Sequence, residues 1–384
     1  MGAMYDSYQR KLSISLPKGK SAFLWGPRQV GKTHWIKHHL NDIIYIDFLK
    51  TDIFADYASK PSLLRERFAQ TNKTIVIDEI QMVPQILNEV HWLIENKQIS
   101  FLLTGSSPKK LRETQANLLG GRAWRFTMTP LCYPEIPDYD IQRAVIHGLL
   151  PAHYSSDTPK EDLRGYVASY LKEEIASWAN TTDLPIFSEF LHVAALTNGE
   201  LLNYTNVARE SGVSSKTVRQ YFQVLEDTLL GFRLSPWRKT RNRRLIETDK
   251  FYLFDVGVAN YLAKRQPLVG SSEFGKSFEH IILMELFAYK AYQNPELALS
   301  YWRTSTGQEV DFIIGDMDIA LEIKSSKRVH ESDTKALSIV KQEYSAKRCI
   351  IISFEDEPKT FDNGIEHLPW KMFLQQLWDG TLFS

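Results

Sequence analysis

The sequence predicts an α/β chain in three parts: a helix-covered parallel sheet, a mostly helical middle, and a second α/β region. Three observations carry this expectation. Apolar runs alternate with helix-spaced segments through the first third, as a buried parallel sheet requires. Helical spacing dominates from about residue 140 to 230. A long helical stretch over 275–292 is then followed by strand-like runs at 299–304, 309–314, 319–324 and 348–353. The expected domains are 1–135, 136–254 and 255–384.

Composition narrows the possible roles. Lys plus Arg and Asp plus Glu both total 46 in 384 residues, so any nucleic-acid contact must be a local patch. Cys132 and Cys349 are too few for a disulfide framework, which suggests a reducing, cytoplasmic setting. No apolar run approaches the roughly 18 residues of a membrane span, and no secretion signal is read at the start.

In the first part, SAFLW, IIYIDF, TIVID, SFLLTGS and RFTMTPL read as strands. Between the first strand and the helical HWIKHHL lies GPRQVGKT: Gly26, Pro27, Arg28, Gln29, Val30, Gly31, Lys32 and Thr33. This G-x-x-x-x-G-K-T spacing lets backbone N–H groups close around phosphate oxygens at a helix N-terminus. Lys32 would reach the β and γ phosphates, and Thr33 would ligate Mg2+. TIVIDEIQ supplies Asp78 for the metal and Glu79 as general base for the attacking water. Thr104 and Ser106, at another strand end, are candidate γ-phosphate sensors, with an ordinary turn as the alternative. Arg122 is either an arginine finger, in cis or from a neighbouring subunit, or a surface arginine.

In the middle, NYTNVARESGVSSKTVRQYFQVLEDTLL has helix-turn-helix spacing. Gly212 marks the turn, Ser214 or Ser215 caps the second helix, and Val218, Phe222 and Leu225 form its apolar stripe. Lys216, Thr217, Arg219 and Gln220 would face outward. The basic run after it, with Arg238, Lys239, Arg241, Arg243 and Arg244, suits a wing along a phosphate backbone. Winged helices also bind proteins, and that reading stays open.

The last part holds EVDFIIGDMDIALEIKSS. A four-residue turn at 315–318 pairs Ile314 with Ile319 and sets Asp311 opposite Glu322, with Lys324 opposite Glu309. Like charges about 5 Å apart repel by about 3 kcal/mol at an effective dielectric near 20, which a divalent cation would offset. Glu279 sits in the apolar stripe of the long helix, as an acid aimed at a metal would. Asp311 and Glu322 as ligands of Mg2+ or Mn2+, with Glu279 and Lys324, make a nuclease-like set. The alternative is a solvated face with a Glu309–Lys324 ion pair.

GPRQVGKT, TIVIDEIQ, LLTGSS and LLGGRAWRFTMTPL together resemble prokaryotic AAA-type P-loop ATPases related to the origin-recognition and signal-transduction groups. KFYLFDVGVANYL, GKSFEHIILMEL, YWRTSTGQEVDFII and ALEIKSS resemble the C-terminal domain that follows in that family. The last elements also resemble PD-(D/E)XK nucleases, with Glu279, Asp311, Glu322 and Lys324 on the acidic and lysine positions. Val310 stands where that pattern has proline. The resemblance implies a P-loop NTPase sheet, a helical winged-helix region and a restriction-endonuclease-like α/β domain. The phosphate loop implies ATP and Mg2+, the helix-turn-helix and its basic run imply DNA as partner, and Arg122 acting in trans would imply a homo-oligomer. Two functions follow: an ATP-hydrolysing protein that remodels or cuts DNA, or a nucleotide-controlled protein-interaction switch with vestigial acids.

Overall fold

The structure is a computed structural model that describes residues 8–108, 119–174, 183–238 and 248–383. It divides into two compact units, one of residues 9–131 with 227–230, the other of 1–8, 132–226 and 231–384. The segments 136–254 and 255–384 therefore share one unit apart from 227–230.

The first unit is a five-stranded parallel sheet in the order β2-β3-β4-β1-β5. Its strands are β1 Ser21–Trp25, β2 Ile43–Asp47, β3 Thr74–Asp78, β4 Phe101–Gly105 and β5 Ala123–Thr127. Helices α1 Lys32–His39, α2 Thr51–Ser59, α3 Leu63–Phe68 and α4 Leu87–Lys97 join them. Ile75, Ile77, Phe101 and Leu103 point from the sheet into a core closed by Tyr57, Leu64, Val90 and Leu93. Burial on both faces explains the unbroken apolar runs in the sequence. This is the α/β architecture of a P-loop NTPase, and helices with a second sheet follow it.

In the second unit, α5 Ile141–His147 and α6 Leu184–Leu196 precede α7 Tyr204–Ser211 and α8 Ser215–Asp227. Asn203 caps α7 through its side chain, and Gly212 ends it in the left-handed conformation at φ 71°. Strands β6 Gly231–Leu234 and β7 Lys250–Leu253 then pair antiparallel. After α9 Val256–Leu262 and the 21-residue α10 Ser272–Tyr292 comes a six-stranded sheet, β12-β13-β11-β10-β9-β8. Its strands are β8 Leu299–Arg303, β9 Glu309–Ile314, β10 Ile319–Ile323, β11 Arg348–Ser353, β12 Lys359–Thr360 and β13 Glu366–Pro369. α11 Lys335–Tyr344 covers one face through Leu337, Val340 and Tyr344, and α12 Trp370–Asp379 packs on β11 and β13. The hairpin register matches expectation, with Ile314 paired to Ile319 and Phe312 to Leu321. Its outer face is not solvated, however, since Ile313 and Ala320 are also buried. Among the described residues, no helix is long and apolar enough to cross a membrane.

Candidate functional site

The phosphate loop runs from Gly26 to Gly31 between β1 and α1. A Cβ on Gly26 would stand 2.5 Å from the Met128 carbonyl oxygen, so only glycine lets the loop pass there. Gly31 enters α1 at φ 98°, a left-handed turn that presents the helix N-terminus to the loop. Arg28 and Gln29 form the exposed crown, while Val30 is buried. Lys32 Nζ donates to the carbonyls of Gly26 at 2.6 Å and Pro27 at 2.9 Å, filling the cradle with its own ammonium. Burial pushes that ammonium down to about 8, against the pull of Glu79 and Asp78. Arg10, which the sequence reading passed over, donates to the Val30 carbonyl and, at 2.6 Å, to that of Thr129. It ties the loop to the chain leaving β5.

Asp78 is buried at the end of β3. Its carboxylate accepts from Thr33 Oγ1 at 2.8 Å, from the Tyr45 hydroxyl at 2.5 Å, and from Thr104 Oγ1. Thr33 and Asp78 therefore converge as two oxygen ligands of a phosphate-bound Mg2+ would, and the donor set fits that ion. Tyr45 went unnoticed because β2 and β3 are neighbours only in space. Thr104, a candidate γ-phosphate sensor, donates to Asp78. Glu79 sits at φ 57° and accepts from Gln81 Nε2, which reaches Ser106 Oγ at 3.4 Å. Gln81 was the overlooked link between the candidate base and the candidate sensor, two residues past Glu79 in the same motif.

Arg122 does not join this group. It precedes β5, whose Ala123 pairs with Ser21 at the start of β1. The phosphate loop leaves the other end of β1, about 17 Å along the strand. Arg122 pairs with Glu95 and donates to the Gly120 carbonyl at 3.2 Å. A finger in cis is excluded by that placement, and the surface reading describes this subunit.

In the second unit, one hairpin and two other elements assemble the acids. Ile323 N donates to Asp311 Oδ2 at 2.7 Å, so β9 and β10 bring Asp311 beside Glu322. Lys324 Nζ bonds Glu322 Oε1 at 2.6 Å rather than Glu309. Glu309 is held by Arg303 and by Lys250, each at 2.5 Å. Glu279, from α10, accepts from the Tyr252 hydroxyl at 2.7 Å and lies 3.8 Å from Lys250 Nζ. Lys324 thus offsets part of the charge of Glu322, and Lys250 part of that of Glu309 and Glu279. Lys250 was missed, although a lysine opening the apolar run KFYLF was a legible signal.

Burial, then the charge of Asp311, pushes the Glu279 carboxyl up to about 7. Burial and Glu322 likewise raise Asp311, and burial raises Glu322 against the pull of Lys324. Glu322 Oε2 is buried with no hydrogen-bond partner, an acceptor a cation would satisfy. Asp311 and Glu322 fit a metal on that ground. Among the described residues, no three His, Cys, Asp or Glu side chains gather as a metal-binding group.

On α8, Lys216, Arg219 and Gln220 are exposed, while Thr217 is half-buried and bonded to the capping Ser214 at 2.9 Å. Val218, Phe222 and Leu225 are buried, as their stripe requires. Arg219 lies over the Tyr204 ring at 4.0 Å. Arg238 is exposed; Lys239, Arg241, Arg243 and Arg244 lie outside the described residues.

Comparison with known proteins finds matches in three stretches of the chain. Residues 18–137 match the profile of an AAA domain. With the loop geometry, the match supports a P-loop AAA ATPase, which implies a nucleotide and typically Mg2+. Residues 138–268 and 274–373 match two domains of unknown function, DUF8612 and DUF4143. Rv2008c of Mycobacterium tuberculosis, an uncharacterized protein, is 25% identical over 79% of this chain and 69% of its own. MJ1544 of Methanocaldococcus jannaschii, also uncharacterized, is 22% identical over 91% and 85%. The Aeropyrum pernix ORC1 protein, solved in complex with DNA, aligns over 65% of this chain and 87% of its own at 13% identity. The TM-score of that alignment is 0.26.

Proposed function

We propose that the chain is a Mg2+-dependent ATPase that acts on DNA through a winged helix and a nuclease-like domain. The observation that carries the first half is the connected set Lys32, Thr33 and Asp78. Lys32 gives up two loop carbonyls to hold the β and γ phosphates. Thr33 and Asp78 hold Mg2+, which supplies charge neutralisation at the transferring phosphoryl group. Glu79 accepts the proton of the attacking water and Gln81 orients Glu79.

The exposed face of α8 supports DNA contact, with Lys216, Arg219 and Gln220 as readers and Thr217 beside them. Arg238 and the basic residues 239, 241, 243 and 244 would follow the phosphate backbone. Asp311 and Glu322 would hold Mg2+ or Mn2+, with Glu279 as further ligand and Lys324 facing the scissile phosphate. We assign these roles to the regions 1–135, 136–254 and 255–384, with Arg122 acting across a homo-oligomer.

The test is ATP turnover with and without duplex DNA across a salt titration. Turnover stimulated by DNA, lost in Lys32→Ala and salt-sensitive through Lys216 and Arg219, is expected. If DNA neither binds nor alters turnover, the DNA half is wrong. A second reading, a nucleotide-controlled interaction switch with vestigial acids, is favoured by the pairing of Lys250 and Lys324 with those acids. Cleavage lost in Asp311→Ala while ATP turnover persists would eliminate it.

A further inference from the structure

We propose that Lys250 is a resident cation that competes with a divalent metal for Glu279 and so sets how readily the acidic cluster loads. The inference rests on the reading of Glu279, Asp311 and Glu322 as metal ligands. Lys250 is only 3% exposed, and a lysine so buried must be paired. Its two carboxylate partners hold it unequally. Glu309 Oε1 lies at 2.5 Å, within hydrogen-bond reach, whereas Glu279 Oε1 lies at 3.8 Å.

Lys250 can therefore keep Glu309 while releasing Glu279. Glu309 is steadied for that by Arg303 at 2.5 Å, and Glu279 by the Tyr252 hydroxyl at 2.7 Å. The neighbouring Glu322 leaves Oε2 buried and unpartnered, so acceptor capacity remains in the cluster. A dication entering there meets Glu322 and Asp311 directly but shares Glu279 with an ammonium of the same sign. That repulsion acts at short range in a poorly solvated place, where charge interactions are strong. Lys250→Met keeps the side-chain length and removes the charge.

The experiment measures Mn2+ binding to the full chain without nucleotide, by the loss of free-Mn2+ paramagnetic signal. Asp311→Asn in each background isolates the acidic cluster. Lys250→Met should tighten the Asp311-dependent binding at least tenfold. Glu309→Gln should weaken it, because Lys250 then has Glu279 as its remaining carboxylate partner among those two. The opposite signs keep the test meaningful if either variant folds poorly. Unchanged or weaker binding in Lys250→Met, with Asp311-dependent binding intact in the parent, overturns the role of Lys250 alone. Binding that never depends on Asp311, in parent or variants, overturns the metal reading and this inference with it.

Discussion

Nucleotide affinity should fall steeply above pH 8, and Lys32 is the reason. Folding buries its ammonium among loop carbonyls and lowers its pKa from 10.5 to about 8. A bound nucleotide supplies phosphate charge and restores the ordinary value or more. Only the charged form then binds well, so raising the pH from 7.5 to 9.5 takes the charged fraction from about 76% to about 3%. Affinity falls about 25-fold, or about 1.9 kcal/mol. A lysine that kept its ordinary pKa would lose only about 10% over that range. The sign is fixed: protons are taken up on binding, so alkaline pH opposes it. Fluorescent ADP titrated in EDTA reads this directly, since nucleotide phosphates are mostly ionised throughout that window. Lys32→Arg, whose guanidinium keeps its proton, should bind more weakly but with a flat profile. A flat profile in the parent, or an equally steep one in Lys32→Arg, refutes the assignment.

Asp78→Asn keeps the shape of the residue that three hydroxyls converge on, yet removes the metal's charge partner. It should cut Mg2+-dependent turnover at least 100-fold, as colorimetric phosphate release would read, while ADP binding in EDTA stays within twofold. Arg122→Ala should leave turnover of dilute protein and the thermal midpoint unchanged, because its pair with Glu95 is part-exposed. Turnover that drops only at concentrations where subunits associate would instead mark a finger in trans. Glu285 is buried on α10, accepts from Tyr133 N and Trp378 Nε1 at 2.8 Å each, and is raised by burial to about 8. The folded chain thus keeps a proton that the unfolded chain has released above about pH 4.5. Stability should be fullest below that value and fall by up to about 1.4 kcal/mol per pH unit as pH climbs to 8. Urea midpoints of the parent and Glu285→Gln at pH 5.5 and 7.5 test it, the variant showing the shallower loss.

Local rules made much of the fold legible. Parallel strands buried on both faces write themselves as continuous apolar runs, and β1, β3 and β11 lie where those runs are. The four-residue turn fixed the register of β9 on β10, and with it the meeting of Asp311 and Glu322. What stayed hidden depends on elements far apart in the chain. Arg122 looked eligible as a cis finger until the pairing of Ser21 with Ala123 put it at the wrong end of the sheet. Tyr45 reaches Asp78 only because β2 lies beside β3, and a single sequence does not state strand order. Lys250 comes to Glu309 from a strand of a different sheet. Its charge is not legible from the hairpin and α10 alone.

The two acid-bearing sites solve one electrostatic problem in opposite ways. Asp78 takes its hydrogen bonds from the hydroxyls of Thr33, Tyr45 and Thr104, which are neutral donors. They orient the carboxylate without cancelling its charge, so a field that would draw Mg2+ is kept for the nucleotide. Glu309 and Glu322 instead bond Lys250, Arg303 and Lys324, and burial raises Glu279 and Asp311 toward neutral pH. Cations and protons already hold much of that cluster's charge. A metal entering it must displace them, whereas a metal entering beside Asp78 replaces nothing charged among those bonds. Mg2+ should therefore occupy the nucleotide site at concentrations that leave the acidic cluster largely unloaded. Equal Mg2+ affinity at Asp78 with ADP bound and at Asp311, measured by titrating Asp78→Asn and Asp311→Asn side by side, would contradict this division.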